Sequence, residues 1–276
     1  MMLDIHKLRS EFGEKHSLLT TSDGVTLFIR EWEPEGQPRS TAILILHGIT
    51  AYSGPYSEIA TPFASRGFAV FGMDLRGHGL SDGNRGDTPG RERYVKDLCE
   101  AIAFVKERHP SIVILGHSLG VLSSILAMSA CINQIDGAIF LSAARDTRPG
   151  VYPSIGGAQK LKILLSSIFF PSRPVMEYRR EGMVGLEDPL FTFSYTLRFM
   201  RTTVLSDFSF PSEMPFPVLV AIGNEDELFA VDAARALFEE IPSKTKEFLV
   251  AEGARHAVFP KGCLNPIFEW ADSTFK

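Results

Sequence analysis

Short runs rich in β-branched residues alternate with helical patterns along most of this chain. The runs fall at Thr41–Leu46, Phe68–Met73, Ile112–Leu115, Ala138–Leu141, Val218–Ile222 and Lys246–Val250. Ahead of them, Leu18–Thr21 and Val25–Glu33 flank Asp23-Gly24, a dipeptide suited to a hairpin turn. Helical patterns lie between the runs, at Tyr56–Arg66, Arg91–Arg108, Ser118–Ala130, Val231–Ile241 and Ile267–Thr274. In the second of these, Tyr94, Leu98, Ile102 and Val105 share one face, and Asn265-Pro266 supplies a cap and first turn for the last. Parallel neighbours need a crossover at each step, and a helix provides it. The expected fold class is therefore α/β, a mostly parallel eight-stranded sheet with helices on both faces.

One stretch breaks the alternation. From about Asp146 to Pro215 no clear strand occurs, and the chain turns rich in Phe, Pro and Arg, with helix-like pieces at Gln159–Phe169 and Phe191–Thr202. An insertion of this size between two strands predicts a cap over the carboxyl ends of the sheet, where open α/β folds bind ligands. The expected organisation is a core of residues 1–145 and 216–276 and a helical cap of residues 146–215. The alternative is a small helical subdomain that only packs.

A chain of 276 residues with 45% hydrophobic residues can bury one large core. Lys+Arg 28 against Asp+Glu 33 leaves a net charge of -5, which argues against a nucleic-acid partner. Cys99, Cys131 and Cys263 are far apart, odd in number and form no C-x-x-C pair, so neither a disulfide framework nor a zinc site is expected and a reducing compartment is the default. Met1–Ser17 lacks the apolar stretch of a signal peptide, which predicts a cytoplasmic protein. The longest apolar run, Leu161–Phe170, is half of the ~20 residues that span a bilayer; it suits transient contact with a lipid surface instead.

Ile112-Val113-Ile114-Leu115 runs directly into Gly116-His117-Ser118-Leu119-Gly120 and then into a helical pattern. This is G-x-S-x-G between a buried strand and a helix, the context in which the motif carries a nucleophile. The glycines let strand and helix cross closely while Ser118 holds a strained backbone with its hydroxyl outward. The helix behind it directs N–H groups toward developing negative charge. Strand Thr41–Leu46 ends in His47-Gly48-Ile49, where such an arrangement supplies its second donor, so the backbone N–H groups of Ile49 and Leu119 are the candidate oxyanion hole.

Taken together, His47-Gly48, Ser53-Gly54-Pro55-Tyr56, the run from Asp74 through Arg76-Gly77-His78-Gly79 to Gly83, and Gly116-His117-Ser118-Leu119-Gly120 resemble the monoacylglycerol lipase and lysophospholipase-like branch of the α/β-hydrolases. The resemblance spans most of the chain outside the insertion. It implies a serine that is acylated and a first loop that forms part of the oxyanion hole. Read alone, the Arg76-Gly77-His78-Gly79 loop is structural, because a lone histidine between glycines lacks the further ligands of a metal site.

A serine hydroxyl needs a base, and the base needs a carboxylate to hold its tautomer, in the chain order Ser, Asp/Glu, His. His256 is the only histidine after the strand that ends in Gly223-Asn224-Glu225-Asp226-Glu227. The cluster itself leaves three carboxylates open. The resemblance selects Asp226 by its spacing from Gly223, with Glu225 and Glu227 read as solvated charges. His117 is expected to be a packed or hydrogen-bonded neighbour of Ser118.

The chemistry needs no metal and no organic cofactor. The substrate is expected to be a small-molecule acyl ester, with Leu164, Ile168, Phe169, Phe191 and Phe193 of the cap lining its acyl chain at about 0.8 kcal/mol per methylene buried. The resemblance points to monoacylglycerols or related esters. Fold and triad are equally compatible with amide, peptide or C–C hydrolysis, perhydrolysis and acyl transfer, and a binding protein without activity is the remaining alternative.

Overall fold

Alternation along the central strands sends apolar side chains into two cores at once. In β5 (Ser111–His117), Ile112 and Ile114 face one side of the sheet and Val113 and Leu115 the other, all fully buried. The same division repeats in β3 (Thr41–Leu46), with Leu44 and Leu46 against Ile43 and Ile45, and in β6 (Gly137–Leu141), with Ala138 and Phe140 against Ile139 and Leu141. A sheet that is apolar on both faces must be covered on both. Helices α3 (Arg91–Lys106), α4 (Leu119–Cys131) and α7 (Val231–Glu240) cover the first face; α2 (Ser57–Ala64) and α8 (Asn265–Thr274) cover the second. The computed structural model describes residues 4–151, 156–180 and 182–275; residues 1–3 and 276 of the expected core and 152–155 and 181 of the expected cap lie outside them.

The sheet is completed by β1 (His16–Thr20), β2 (Thr26–Trp32), β4 (Ala69–Met73), β9 (Val218–Gly223) and β10 (Lys246–Ala251), in the order β1-β2-β4-β3-β5-β6-β9-β10. Within this sheet, among the described residues, only β1·β2 and β2·β4 are antiparallel. All eight expected strands are present. Because β3 sits between β4 and β5, the chain leaves it toward one edge and later returns to build toward the other. The loops after β3 and β5 therefore diverge, and a crevice opens at their carboxyl ends.

The crossing of β5 and α4 leaves almost no room. A Cβ on Gly120 would lie 1.9 Å from the carbonyl oxygen of Leu46 in β3, and one on Gly116 would lie 2.5 Å from the carbonyl oxygen of Gly120. Both contacts are with backbone, which cannot swing aside.

Between β6 and β9 the chain forms α5 (Gly157–Phe169), the two-residue strands β7 (Met176–Glu177) and β8 (Ser194–Tyr195), and α6 (Leu197–Thr202). The helix expected over Phe191–Thr202 starts only at Leu197. Upstream, the backbone is drawn into extended pairings, Thr192 N–H to the Thr50 carbonyl and Tyr178 N–H to the Phe193 carbonyl, and Thr196 then caps the helix by accepting from Phe199 N–H. A further short helix, α1 (Ile5–Ser10), was not expected. Asp4 caps it, and Arg9 bonds to Asp82.

The cysteines also depart from expectation. Cys99 on α3 and Cys131 at the end of α4 form a disulfide across a separation of 32 residues, and only Cys263 is free. Helix packing, not a sequence motif, brings the pair together, and the cysteines give no argument for a reducing compartment. Among the described residues, no helix is long and apolar enough to cross a membrane.

The crossing yields a test of the packing. Gly120→Ala should destabilise the fold by about 2 kcal/mol or more, because relief requires moving a strand or a helix. Chemical denaturation of the two proteins measures it; equal midpoints and slopes would contradict the packing described.

Candidate active site

Ser118 is placed by the turn from β5 into α4. Its φ of 54° and ψ of -114° lie where a non-glycine residue is strained, and its surroundings hold it there: its N–H donates to the Leu141 carbonyl at 3.0 Å and its carbonyl accepts from Val121 N–H at 3.0 Å. The hydroxyl is left at the carboxyl end of the sheet, 2.9 Å from Nε2 of His256.

Asp226 and His256 come from the loops after β9 and β10, which pair in parallel up to Gly223 opposite Ala251. Past that point the loops stay close enough that a Cβ on Gly223 would lie 1.9 Å from the Ala254 carbonyl oxygen. Asp226 turns inward and is fully buried, with Oδ2 3.0 Å from Nδ1 of His256 and Oδ1 accepting from the N–H groups of Leu228 and Phe229 at 2.8 and 2.9 Å. Burial pushes its carboxyl pKa up, but the bonds from His256, Phe229 and Leu228 outweigh burial and hold it below the ordinary aspartate value. A carboxylate only accepts, so Nδ1 of His256 carries its proton, leaving Nε2 as the acceptor facing Ser118. Glu225 points to solvent, as expected. Glu227 is half-exposed but engaged, accepting from the backbone N–H of His256 at 3.0 Å.

The neighbouring histidine forms a second chain of bonds. Nε2 of His117 lies 2.8 Å from the His256 carbonyl oxygen, which can only accept, so the proton of His117 is on Nε2. Its Nδ1 therefore accepts from the Tyr56 hydroxyl at 2.6 Å, and the Tyr56 oxygen accepts from Gly48 N–H at 2.8 Å. Burial lowers the His117 pKa to about 3, so the ring is neutral, and burial raises that of Tyr56, so the phenol keeps its proton. The relay links the loop after β3 to the loop that carries His256. The sequence predicts a bonded His117 but not its partner Tyr56, which reads there as the start of a helix and as part of Ser53-Gly54-Pro55-Tyr56, with no bonding role.

The loop after β3 presents Ile49 at the mouth of the crevice. Among the described residues, neither Ile49 N–H nor Leu119 N–H, the latter at the first position of α4, has a protein partner. The loop is held from beneath by His47, whose Nε2 accepts from Leu75 N–H at 3.0 Å and whose Nδ1 then donates to the Gly48 carbonyl at 2.8 Å. It is held from outside by the hydroxyl of Tyr195, which bonds the Ile49 carbonyl, and by Thr192 N–H on the Thr50 carbonyl at 2.9 Å. The Arg76-Gly77-His78-Gly79 loop is structural, as its residues suggest. His78 is fully buried against His47 and Phe199, and Arg76 pairs with Asp97 and Asp23.

Two cavities meet at Ser118. One of about 140 Å³ is walled by His256, Ala257, Val258, Phe259, Phe191 and Met183, with charged groups of Glu58, Arg180, Glu227 and Arg255 on its lining. The other, about 130 Å³, is walled by Leu119, Val121, Leu122, Ala143, Phe208 and Leu237, with Arg145, Thr147 and Ser206 also on its lining. Ile49, Ser118, Tyr178 and Leu228 border both. Of the residues expected to line an acyl chain, only Phe191 borders either cavity, and it does so on the side of the His256 loop. Phe193 is buried behind it in a stacked pair, while Leu164, Ile168 and Phe169 on α5 are 42%, 62% and 71% exposed and border neither cavity. Their apolar character is the same whether a helix face turns inward or outward, so sequence could not orient them.

A mostly parallel eight-stranded sheet with a serine elbow after β5 and this strand order is the α/β-hydrolase fold. Within that fold, residues 37–260 match the profile of the family described as serine aminopeptidase, S33, and the chain belongs to this family of hydrolases. It is 28% identical over 258 residues to the monoglyceride lipase of Rattus norvegicus, covering 87% of this chain and 82% of that one. The monoacylglycerol lipase of Mycolicibacterium smegmatis is 27% identical over 253 residues, covering 86% and 88%. Among solved structures, Paleococcus ferrophilus monoacylglycerol lipase superposes with a TM-score of 0.71 at 23% identity, covering 90% of this chain and 99% of that one.

Burial of neutral histidines sets a pH dependence. Burial lowers the pKa of His47 to about 4, of His117 to about 3 and of His78 well below its ordinary value, while each titrates near 6.5 when unfolded. Between these values the unfolded chain binds more protons, so stability is full above pH ~6.5 and falls as pH drops, by about 1.4 kcal/mol per pH unit for each histidine. Urea midpoints should decline steadily from about pH 7 to about pH 5, and a flat profile would contradict the buried neutral rings.

Proposed function

We propose that this chain is a serine carboxylic-ester hydrolase, with Ser118 as nucleophile, His256 as general base and acid, and Asp226 as the carboxylate that orients His256. The observation that carries the reading is the unbroken series from the Asp226 carboxylate through His256 to the Ser118 hydroxyl, at 3.0 and 2.9 Å, beside two unengaged backbone N–H groups. In the proposed reaction Nε2 of His256 takes the Ser118 proton and Oγ attacks the ester carbonyl. The resulting oxyanion is bound by Ile49 and Leu119 N–H. His256 then protonates the leaving alcohol, and water repeats the cycle on the acyl-enzyme. No step needs a metal or an organic cofactor.

The general acid must reach the leaving oxygen. The cavity walled by the His256 loop is therefore assigned to the alcohol, and the cavity along α4 and the loop after β6 to the acyl group. The relatives are named as monoglyceride and monoacylglycerol lipases, so monoacylglycerols or related acyl esters are the proposed substrates. Residues 146–215 are assigned as a cap: Tyr195 and Thr192 bind the Ile49–Thr50 backbone, and Tyr178 and Phe191 wall the cavities.

A fluorophosphonate probe should label the protein and fail to label Ser118→Ala, which should also lose about 10⁴-fold or more in esterase rate. Labelling that persists in the variant would show that another residue is the nucleophile. Monoacylglycerols, p-nitrophenyl esters and aminoacyl amides should be compared in one assay. Turnover confined to the amides would replace the ester reading with peptidase activity.

The exposed face of α5, with Leu161, Leu164, Leu165, Ile168 and Phe169 outward and Lys160 beside them, is assigned to transient contact with a lipid surface. The protein should sediment with phosphatidylglycerol-containing vesicles, and Phe169→Ser should reduce that fraction. Equal recovery with and without vesicles would count against it.

A further inference from the structure

His256 must keep Nε2 aligned first on Ser118 and then on a leaving oxygen, yet it sits in an irregular loop, at a turn in which Arg255 N–H donates to the Val258 carbonyl at 2.9 Å. Three successive residues after β9 engage that loop. Glu225 N–H donates to the Ala254 carbonyl at 3.1 Å, the Asp226 carboxylate accepts from ring Nδ1 of His256 at 3.0 Å, and Oε2 of Glu227 accepts from the main-chain N–H of His256 at 3.0 Å. On the opposite side of the same residue, Nε2 of His117 donates to the His256 carbonyl at 2.8 Å. Backbone N–H and carbonyl of the base are thus both taken up by side chains. Glu227 is itself steadied by the Arg255 guanidinium, 3.5 Å from Oε1.

We propose that Glu227 is a positioning residue for the reaction: by accepting from the His256 main-chain N–H, opposite the bond from His117 to the His256 carbonyl, it fixes the base relative to Ser118. The proposal rests on the assignment of Ser118 and His256 above and extends it to a residue that touches neither nucleophile nor oxyanion. Asp226 sets the tautomer and direction of the ring, whereas Glu227 and His117 set where the ring is hung. The interaction uses an acceptor oxygen and not the negative charge, so glutamine can supply it and alanine cannot.

The tests are Glu227→Ala and Glu227→Gln in the full chain, with Ser118→Ala as the reference, on a soluble p-nitrophenyl ester and with the fluorophosphonate probe. Glu227→Ala should lower kcat about tenfold, with KM changed less than about twofold and labelling of Ser118 slowed in parallel, because a small displacement of the base acts on the chemical step. Glu227→Gln should recover most of that loss. Unchanged kcat in Glu227→Ala would overturn the proposal. So would a glutamine variant no better than alanine, which would make charge the active property. A rise in KM alone would also overturn it and confine Glu227 to its place on the alcohol-side wall. If Ser118→Ala retained full turnover, the assignment of the nucleophile would fall and this proposal with it. A dead Ser118→Ala beside an unaffected Glu227→Ala would remove the positioning role alone.

Discussion

The approach of Gly120 to the carbonyl of Leu46 is the contact on which the remaining geometry depends. It seats the start of α4 directly against β3, so that two loops far apart in sequence, one ending at Ile49 and one turning at Ser118, open side by side. A side chain at either glycine would force strand and helix apart. The hydroxyl and the two backbone N–H groups would then no longer face one space. Strain in the Ser118 backbone is kept by bonds to Leu141 and Val121, themselves parts of the sheet and the helix, so the rigidity of the fold is what holds the Ser118 hydroxyl out.

Around that contact the site is organised by neutral groups. His47 and His117 are buried and uncharged, and carbonyls and N–H donors fix the proton on each. Asp226 is the ionised group turned inward, its charge matched by His256 and two backbone donors. Low dielectric and fixed dipoles let one buried charge dominate, since nothing nearby rearranges to screen it.

Much of this was legible in the residues. The eight strands follow from apolar runs buried on both faces, and Ser118 from glycines that only a tight strand–helix crossing requires. His256 follows from chain order, because no other histidine comes after Asp226. Legibility ended where partners were set by packing. Glu227 sits in an acidic run and reads as solvated, and only the return of the β10 loop gives it a backbone donor. Cys99 and Cys131 meet because α3 and α4 lie together. Phe191–Tyr195 was read as helix because its apolar content resembles one, but the chain there is extended by pairing with Thr50 and Tyr178. The outward orientation of α5 was likewise invisible, since an amphipathic pattern does not say which neighbour is present.

With Ser118 on a ridge between two hollows, the halves of a molecule cleaved in the proposed reaction separate as soon as the bond breaks. In the proposed cycle the alcohol departs through the hollow beside His256 while the acyl group stays in the other. The vacated side is then the route by which water arrives, in contact with the same imidazole that must activate it. Any alcohol lingering there would compete with water for the acyl group, so the balance between hydrolysis and transesterification is set by how quickly one wall of the crevice empties.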